Sequence, residues 1–220
     1  MSLPSHTLNP HLIRQVDGQR FLRVESDRLE LYLILDFLSP AECELLIRTG
    51  GHKLRRSTVT VPIDDPDYRT SQTCDIGFID EPLVPQLQQR IAQTLGAEIT
   101  HAEVMQLQRY APGEQFKGHT DYFEPGSQEY AENAKVGGNR TWTCMIYLNE
   151  VPVGGETRFD ALGLAFKSRP GMAVVWNNHW AGAVNPHSVH AGLPVQEGLK
   201  YVVTQWFRER PLVALNPSSA

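Results

Sequence analysis

The sequence predicts an α+β chain, mainly β, in which supporting helices precede a barrel or two-sheet jelly roll. Three observations carry that prediction. From Ala102 onward, eight short runs rich in Val, Ile, Thr, Trp and Tyr are separated by Pro and Gly punctuation. This is the pattern of short strands joined by turns. Two helical patterns with clear end signals stand ahead of those runs, where they would pack on one face of a sheet. The 220 residues include 17 Gly and 15 Pro, a modest excess over the usual ~12% that favours turns over long helices.

The elements follow in order. Residues 1–25 are polar, lack periodicity and read as an N-terminal extension. RLELYLILDFL (28–38) is apolar and strand-like. Ser39-Pro40-Ala41-Glu42 is a capping box with proline at the first helical position, and Gly50-Gly51 is the matching stop. A second helix is signalled by Asp80 as N-cap and Pro82. Leu83, Val84, Leu87, Ile91 and Leu95 then fall at helical spacing, and Gly96 closes it. The strand-like runs are AEVMQLQRY, QFKGHTDY, RTWTCMIYL, ETRFD, LAFKS, MAVVWN, SVHAG and KYVVTQWF. Two polar stretches, 61–73 and 123–139, read as loops of a length that is often functional. The organisation is therefore a helical support segment over 26–100, with 61–73 as a candidate substrate loop. A core over 101–212 and a tail over 213–220 follow, with 26–212 as one structural unit.

Composition excludes several classes. The formal net charge is −5, so a general basic footprint for nucleic acid is absent and no nucleic-acid partner is expected. No run approaches the ~18 apolar residues of a membrane span. The N-terminal residues show no cationic stretch followed by an apolar one. The three cysteines, Cys43, Cys74 and Cys144, form no CxxC and no disulfide framework. A cytoplasmic chain with reduced thiols is the expectation.

His119-Thr120-Asp121 is the strongest local signal. In a strand, residues i and i+2 share a face, so an imidazole and a carboxylate would project side by side. A second histidine would complete the two-histidine, one-carboxylate facial triad, which leaves positions open on Fe(II). On spacing alone His187 and His190, three apart in NPHSVHAGLPV, face opposite sides of a strand and at most one joins the pair. Lys200 opens the run KYVVTQWF. A lysine is mostly exposed unless paired, so an inward one needs an anion.

The stretches QRYAPGEQFKGHTDYF (108–123), NRTWTCMIYLNEVPVGGETRF (139–159), RPGMAVVWNN (169–178) and HAGLPVQEGLKYVVTQWFRER (190–210) occur in that order. There the sequence resembles the prolyl 4-hydroxylase family of Fe(II)/2-oxoglutarate-dependent dioxygenases, over roughly residues 104 to 210. The helical portion and RTSQTCD (69–75) are also similar to the family. The resemblance implies a double-stranded β-helix (jelly roll) fold. It selects His190, which precedes Ala-Gly, as the distal iron ligand beside His119 and Asp121, and leaves His187 as a neighbour. It places Lys200 on the far carboxylate of 2-oxoglutarate, with Tyr110 and Thr143 as further co-substrate contacts. Arg140 and Trp206 fall on its substrate-side positions. The loops 61–73 and 123–139 match least well, and they cover the family's peptide groove.

The resemblance thus implies Fe(II) as metal and 2-oxoglutarate and O₂ as co-substrates, with ascorbate as a rescuer of oxidised iron. The implied reaction is 4-hydroxylation of a prolyl residue in a peptide or protein, with release of succinate and CO₂. Two other readings stay open at this stage. The same chemistry can serve another side chain or a small metabolite, because fold and triad are shared across substrates. A jelly-roll metal- or 2-oxoglutarate-binding module without turnover would show a broken triad or no basic anchor, and neither is seen.

Overall fold

Alternate side chains along the strand Arg140–Tyr147 enter two different cores. Cys144 and Ile146 join an apolar cluster with Leu46, Leu87, Ile91 and Phe207, whereas Met145 and Tyr147 join one with Phe159, Val174 and Trp176. A strand side-chain period of two, with both faces apolar, requires a covering layer on each side. The computed structural model describes residues 13–16, 19–60 and 64–212, and its layers supply both covers.

The central layer is a nine-stranded antiparallel sheet. Its spatial order is Ile13–Val16, Gln19–Val24, Leu31–Leu35, Ala173–Asn177, Arg140–Tyr147, Lys200–Arg208, Gln106–Tyr110, Gln72–Cys74 and Arg55–Arg56. A four-stranded sheet of Leu164–Phe166, Thr157–Phe159, His190–Gly192 and Phe116–His119 lies on one face, with the second cluster between the two sheets. Helices α1 (Pro40–Gly50) and α2 (Leu83–Leu95) cover the other face through Cys43, Leu46, Val84, Leu87 and Ile91. This is a mainly β jelly roll with supporting helices, as the strand count and helix order predict.

Local chemistry explains the helix ends. Ser39 accepts from the Glu42 N–H at 3.3 Å and Glu42 accepts from the Ser39 N–H at 2.7 Å, which is the predicted capping box. Such a cap contributes ~1 kcal/mol. Asp80 does not cap α2, which begins beyond Pro82. The Glu81 carboxylate instead accepts the Leu83 N–H at 3.2 Å, because it is the acid that reaches the first free donor. Gly96 ends α2 in the left-handed region at φ 63°, where glycine carries no steric cost.

Three further segments depart from expectation. Ile13–Val16 and Gln19–Val24, inside the segment read as a loose extension, are strands, and the second pairs with Leu31–Leu35. The stretch 123–139 is not all loop, since Ser127 caps a short helix α3 (Gln128–Asn133) by accepting the Tyr130 N–H at 3.0 Å. The stretch 61–73 ends in the strand Gln72–Cys74. Residues 1–12 and 17–18 of the extension, 61–63 of the candidate loop and 213–220 of the tail lie outside the described residues.

The GGET turn closes the end of the jelly roll near Lys200. Gly154 has φ 78°, and a Cβ there would run into the Pro194 carbonyl oxygen. Only glycine lets Val153–Gly154 pair so closely with Val195–Glu197.

Candidate metal centre and its clefts

His119 and His190 stand opposite each other on paired strands, and Asp121 completes the group. One ligand atom from each of the three lies within 4.8 Å of the others. The predicted reason for the first pair needs correction. The strand Phe116–His119 ends at the histidine, and Asp121 lies in the bend beyond it, so strand alternation does not aim its carboxylate. Hydrogen bonds do. The Thr143 hydroxyl donates to Asp121 Oδ2 at 2.7 Å, and an Arg140 guanidinium N–H donates to the Asp121 carbonyl at 3.3 Å. His187 sits exposed on the turn Pro186–Ser188, away from this group.

Both imidazoles are oriented the same way. Nδ1 of His119 is 2.8 Å from the Lys117 carbonyl oxygen, and Nδ1 of His190 is 2.9 Å from the Ser188 carbonyl oxygen. A carbonyl only accepts, so each Nδ1 carries a proton and Nε2 is the nitrogen left to face a metal. The two Nε2 atoms lie 3.8 and 3.9 Å from the Asp121 oxygens. Burial, and then the neighbouring His190, push His119 down to about 3, so its ring is neutral near pH 7. Burial alone would raise the Asp121 carboxyl, but His190, His119, Arg140 and the Thr143 hydroxyl outweigh it and hold the group below the usual range. Aromatic packing fixes the rings. Phe116 stacks on His119 at 3.5 Å, and the Trp176 edge meets His190 at 4.6 Å. The donor set is two imidazole nitrogens and one carboxylate oxygen, which suits a divalent first-row metal with open positions.

The same cavity holds Lys200 at another wall. Its side chain is buried, with the residue 2% exposed. Lys200 makes no ion pair among the described residues. Its ammonium donates to the Thr157 hydroxyl at 3.5 Å and lies 5.1 Å from the Tyr110 ring centre and 5.5 Å from that of Tyr147. Burial pushes Lys200 down to about 7, against the pull of Glu156. A dry ammonium with no anion is costly unless a ligand supplies the charge.

The other predicted residues divide. Tyr110 lines this cavity, and its hydroxyl donates to Gln108 Oε1 at 3.1 Å. Thr143 does not, since its hydroxyl is spent on Asp121 and accepts from Asn178 Nδ2 at 2.9 Å. The hydroxyl beside Lys200 belongs to Thr157, which the sequence reading missed. Trp206 shares a strand face with Lys200 and lines both this cavity and a wider outer cleft of about 320 Å³. Arg140 also lines the outer cleft, but its guanidinium is already engaged. It grips Glu103 through two bonds of 2.6 and 2.8 Å and lies 4.3 Å over the Trp206 ring.

Glu103 and Arg69 were also not singled out. Glu103 bridges Arg140 and, at 2.9 Å, Arg208. Arg208 in turn donates to the Asn133 and Gly138 carbonyls at 2.7 and 2.6 Å, tying the end of α3 to the sheet. Arg69 lies 4.7 Å over Phe116 and donates to the Thr58 carbonyl at 2.8 Å. Its presence in RTSQTCD was the available signal. The segment just before the first polar stretch meets the second over the outer cleft, where the Thr60 hydroxyl donates to Glu129 on α3.

A family model described as the 2OG-Fe(II) oxygenase superfamily matches residues 105–208, which include every one of these ligand residues and Lys200. Over that span the chain resembles the 2OG-Fe(II) oxygenase superfamily. Its relatives are prolyl 4-hydroxylases. It is 30% identical over 191 residues to the human prolyl 4-hydroxylase subunit alpha-1, matching 84% of this chain and 36% of that subunit. The chain thus spans little more than a third of the length of the curated relatives it matches first. A viral collagen prolyl hydroxylase from Paramecium bursaria chlorella virus-1, solved with 2OG, is 25% identical with a TM-score of 0.64. The match covers 81% of this chain and 95% of that one. A Pseudomonas putida prolyl-4-hydroxylase shares the fold at 22% identity and a TM-score of 0.52, covering 82% and 92% of the two chains.

The superfamily's Fe(II) and 2-oxoglutarate fit what the residues offer. His119, Asp121 and His190 provide an imidazole and carboxylate donor set, and Lys200 is buried with no ion pair among the described residues. No helix among the described residues is long and apolar enough to cross a membrane.

Proposed function

We propose that this chain is an Fe(II)- and 2-oxoglutarate-dependent dioxygenase that 4-hydroxylates a prolyl residue in a peptide or protein. One observation carries the reading. The three metal-ligating side chains and the unpaired Lys200 share one buried cavity, and that cavity shares His119, Asp121, Phe116 and Trp206 with an outer cleft. When bound, iron and 2-oxoglutarate supply the oxidising power, releasing succinate and CO₂ as one oxygen atom of O₂ enters a C–H bond.

The side chains of this chain have narrower tasks. His119, Asp121 and His190 hold the metal through Nε2, one carboxylate oxygen and Nε2. Thr143 and Asn178 hold the carboxylate in register. Lys200 takes the far carboxylate of the co-substrate, with Thr157 and Tyr110 beside it. Phe116, Trp176 and Phe159 keep the histidine rings dry and fixed. Trp206 and Arg140 form the wall against which substrate lies, and the Thr58–Thr60 segment and α3 exclude water from above. No side chain is required as a general acid or base for the oxidation itself.

A peptide substrate is favoured over a small metabolite because the relatives are prolyl 4-hydroxylases and the outer cleft carries Gln106, Arg69 and Thr58 along its walls. The three free cysteines are buried and unpaired, in keeping with a reducing cytoplasm. Ascorbate, as a reductant for iron left oxidised, completes the expected requirements.

Anaerobic titration tests the site. Fe(II) plus 2-oxoglutarate should give the weak visible charge-transfer band of a chelate, and Lys200→Met should require far more 2-oxoglutarate for the same band. Absence of the band in the unaltered protein contradicts the reading.

A further inference from the structure

Glu129 is the carboxylate on the outer cleft wall that stands outside the metal site and makes no ion pair among the described residues. The cleft walls carry four charged groups, Arg69, Asp121, Glu129 and Arg140. Asp121 belongs to the metal site. Arg140 is neutralised by the two bonds to Glu103. Arg69 is held by the Thr58 carbonyl and lies on the Phe116 face. Glu129 makes no ion pair among the described residues, and its side-chain contact is the neutral Thr60 hydroxyl. Lys117, on the strand that carries Phe116 and His119, is occupied by Asp65 at 2.7 Å.

Glu129 also faces inward. It is half-buried on the first turn of α3. Its charge raises the pKa of both Tyr68 and Arg140, which stand on other walls of the cleft. The two polar stretches carry exposed Asp64, Asp67, Glu124 and Glu132 against a single exposed lysine, Lys135. A hydroxyl caps a carboxylate without cancelling its charge, and a half-buried charge attracts a counter-ion more strongly than an exposed one.

We propose that Glu129 is a specificity-determining residue that receives a cationic side chain of the substrate, so that the preferred substrate is a peptide bearing Lys or Arg within a few residues of the oxidised position. The proposal rests on the peptide-hydroxylase reading above. The incoming ammonium or guanidinium takes the place of the Thr60 hydroxyl on the carboxylate, with no covalent change.

The experiment compares matched proline peptides that carry Lys, norleucine or Glu at each position from two before to two after the proline. Turnover is read as kcat/KM for the unaltered protein, Glu129→Gln and Glu129→Lys. At one or more positions the unaltered protein should favour Lys over norleucine by roughly two- to fivefold, the size of a partly exposed ion pair. The ratio should fall to about one in Glu129→Gln, and Glu129→Lys should favour the Glu peptide. Turnover without a Lys preference, or a preference that survives in Glu129→Gln, overturns the role of Glu129 and leaves the hydroxylase reading intact. Failure of every peptide to be oxidised overturns the hydroxylase reading itself, and this proposal with it.

Discussion

The Thr143 hydroxyl donates to Asp121 Oδ2 at 2.7 Å, while the Asn178 side-chain amide donates to Thr143 at 2.9 Å. The chain runs on through Trp176, whose indole N–H donates to Asn178 Oδ1 at 3.1 Å. Asp121 stands in a bend beyond the end of its strand, so these bonds substitute for the rigidity a strand would give it. A ligand held by outer-shell bonds depends on them for affinity.

Thr143→Val should therefore keep the fold and weaken metal binding by about 10–100-fold. Thr143→Ser should restore most of it. A Co(II) titration followed by its visible spectrum measures both. Equal affinity in Thr143→Val and the unaltered protein contradicts the orienting role.

Lys200 sets the pH dependence of co-substrate binding. Burial brings its pKa down to about 7 in the free protein, so the ammonium is progressively lost as pH rises above that value. Binding a carboxylate needs the ammonium, so the 2-oxoglutarate Kd should climb with pH above 7, approaching tenfold per unit. Titration of the Zn(II)-loaded protein between pH 6 and 9 measures it, and a flat Kd removes Lys200 from the site.

The same burial has a stability consequence of opposite sense. Between pH 7 and the unfolded lysine value of ~10.4, the unfolded chain binds more protons at this position than the folded one. Stability of the free protein therefore gains from this residue as pH rises through that window. Lys200→Met should stabilise the ligand-free protein by about 1–4 kcal/mol while it abolishes tight 2-oxoglutarate binding. Urea unfolding with and without 2-oxoglutarate reads both effects.

The Glu103–Arg140 pair holds the wall behind the metal site. Burial raises the Glu103 carboxyl, but Arg140 and then Arg208 outweigh it and keep it low. Its contribution is present above the unfolded value of ~4.3 and is lost as pH falls through the lower folded value. Arg140→Met leaves Glu103 with Arg208 alone and should cost about 3–5 kcal/mol, the usual cost of breaking a buried pair. Glu103→Gln in the same chain should recover part of that loss, and equilibrium unfolding of the two variants decides it.

Much of this was legible along the chain because it is local. The capping box at Ser39, the strand runs and the shared face of Lys200 and Trp206 depend on neighbours in sequence. Choosing His190 over His187 needed the family resemblance, since spacing alone left both open. The engagement of Thr143 with Asp121, of Arg140 with Glu103 and of Lys200 with Thr157 joins residues 22, 37 and 43 positions apart. No periodicity encodes such partners. Asp121 illustrates the limit, since HxD spacing picks out two side chains that the fold brings together with His190, while assigning Asp121 to a strand that stops at His119.

The central claim is that this cavity couples 2-oxoglutarate consumption to oxygenation of a peptidyl proline. Mass spectrometry of proline-containing peptides incubated with Fe(II), 2-oxoglutarate and air tests it most directly, with succinate measured in the same samples. The account predicts a gain of one oxygen on proline, matched to succinate, lost in His119→Ala, Asp121→Ala and His190→Ala and retained in His187→Ala. Oxygenation that survives His190→Ala but not His187→Ala, or succinate formed with no oxygen on any peptide, contradicts it.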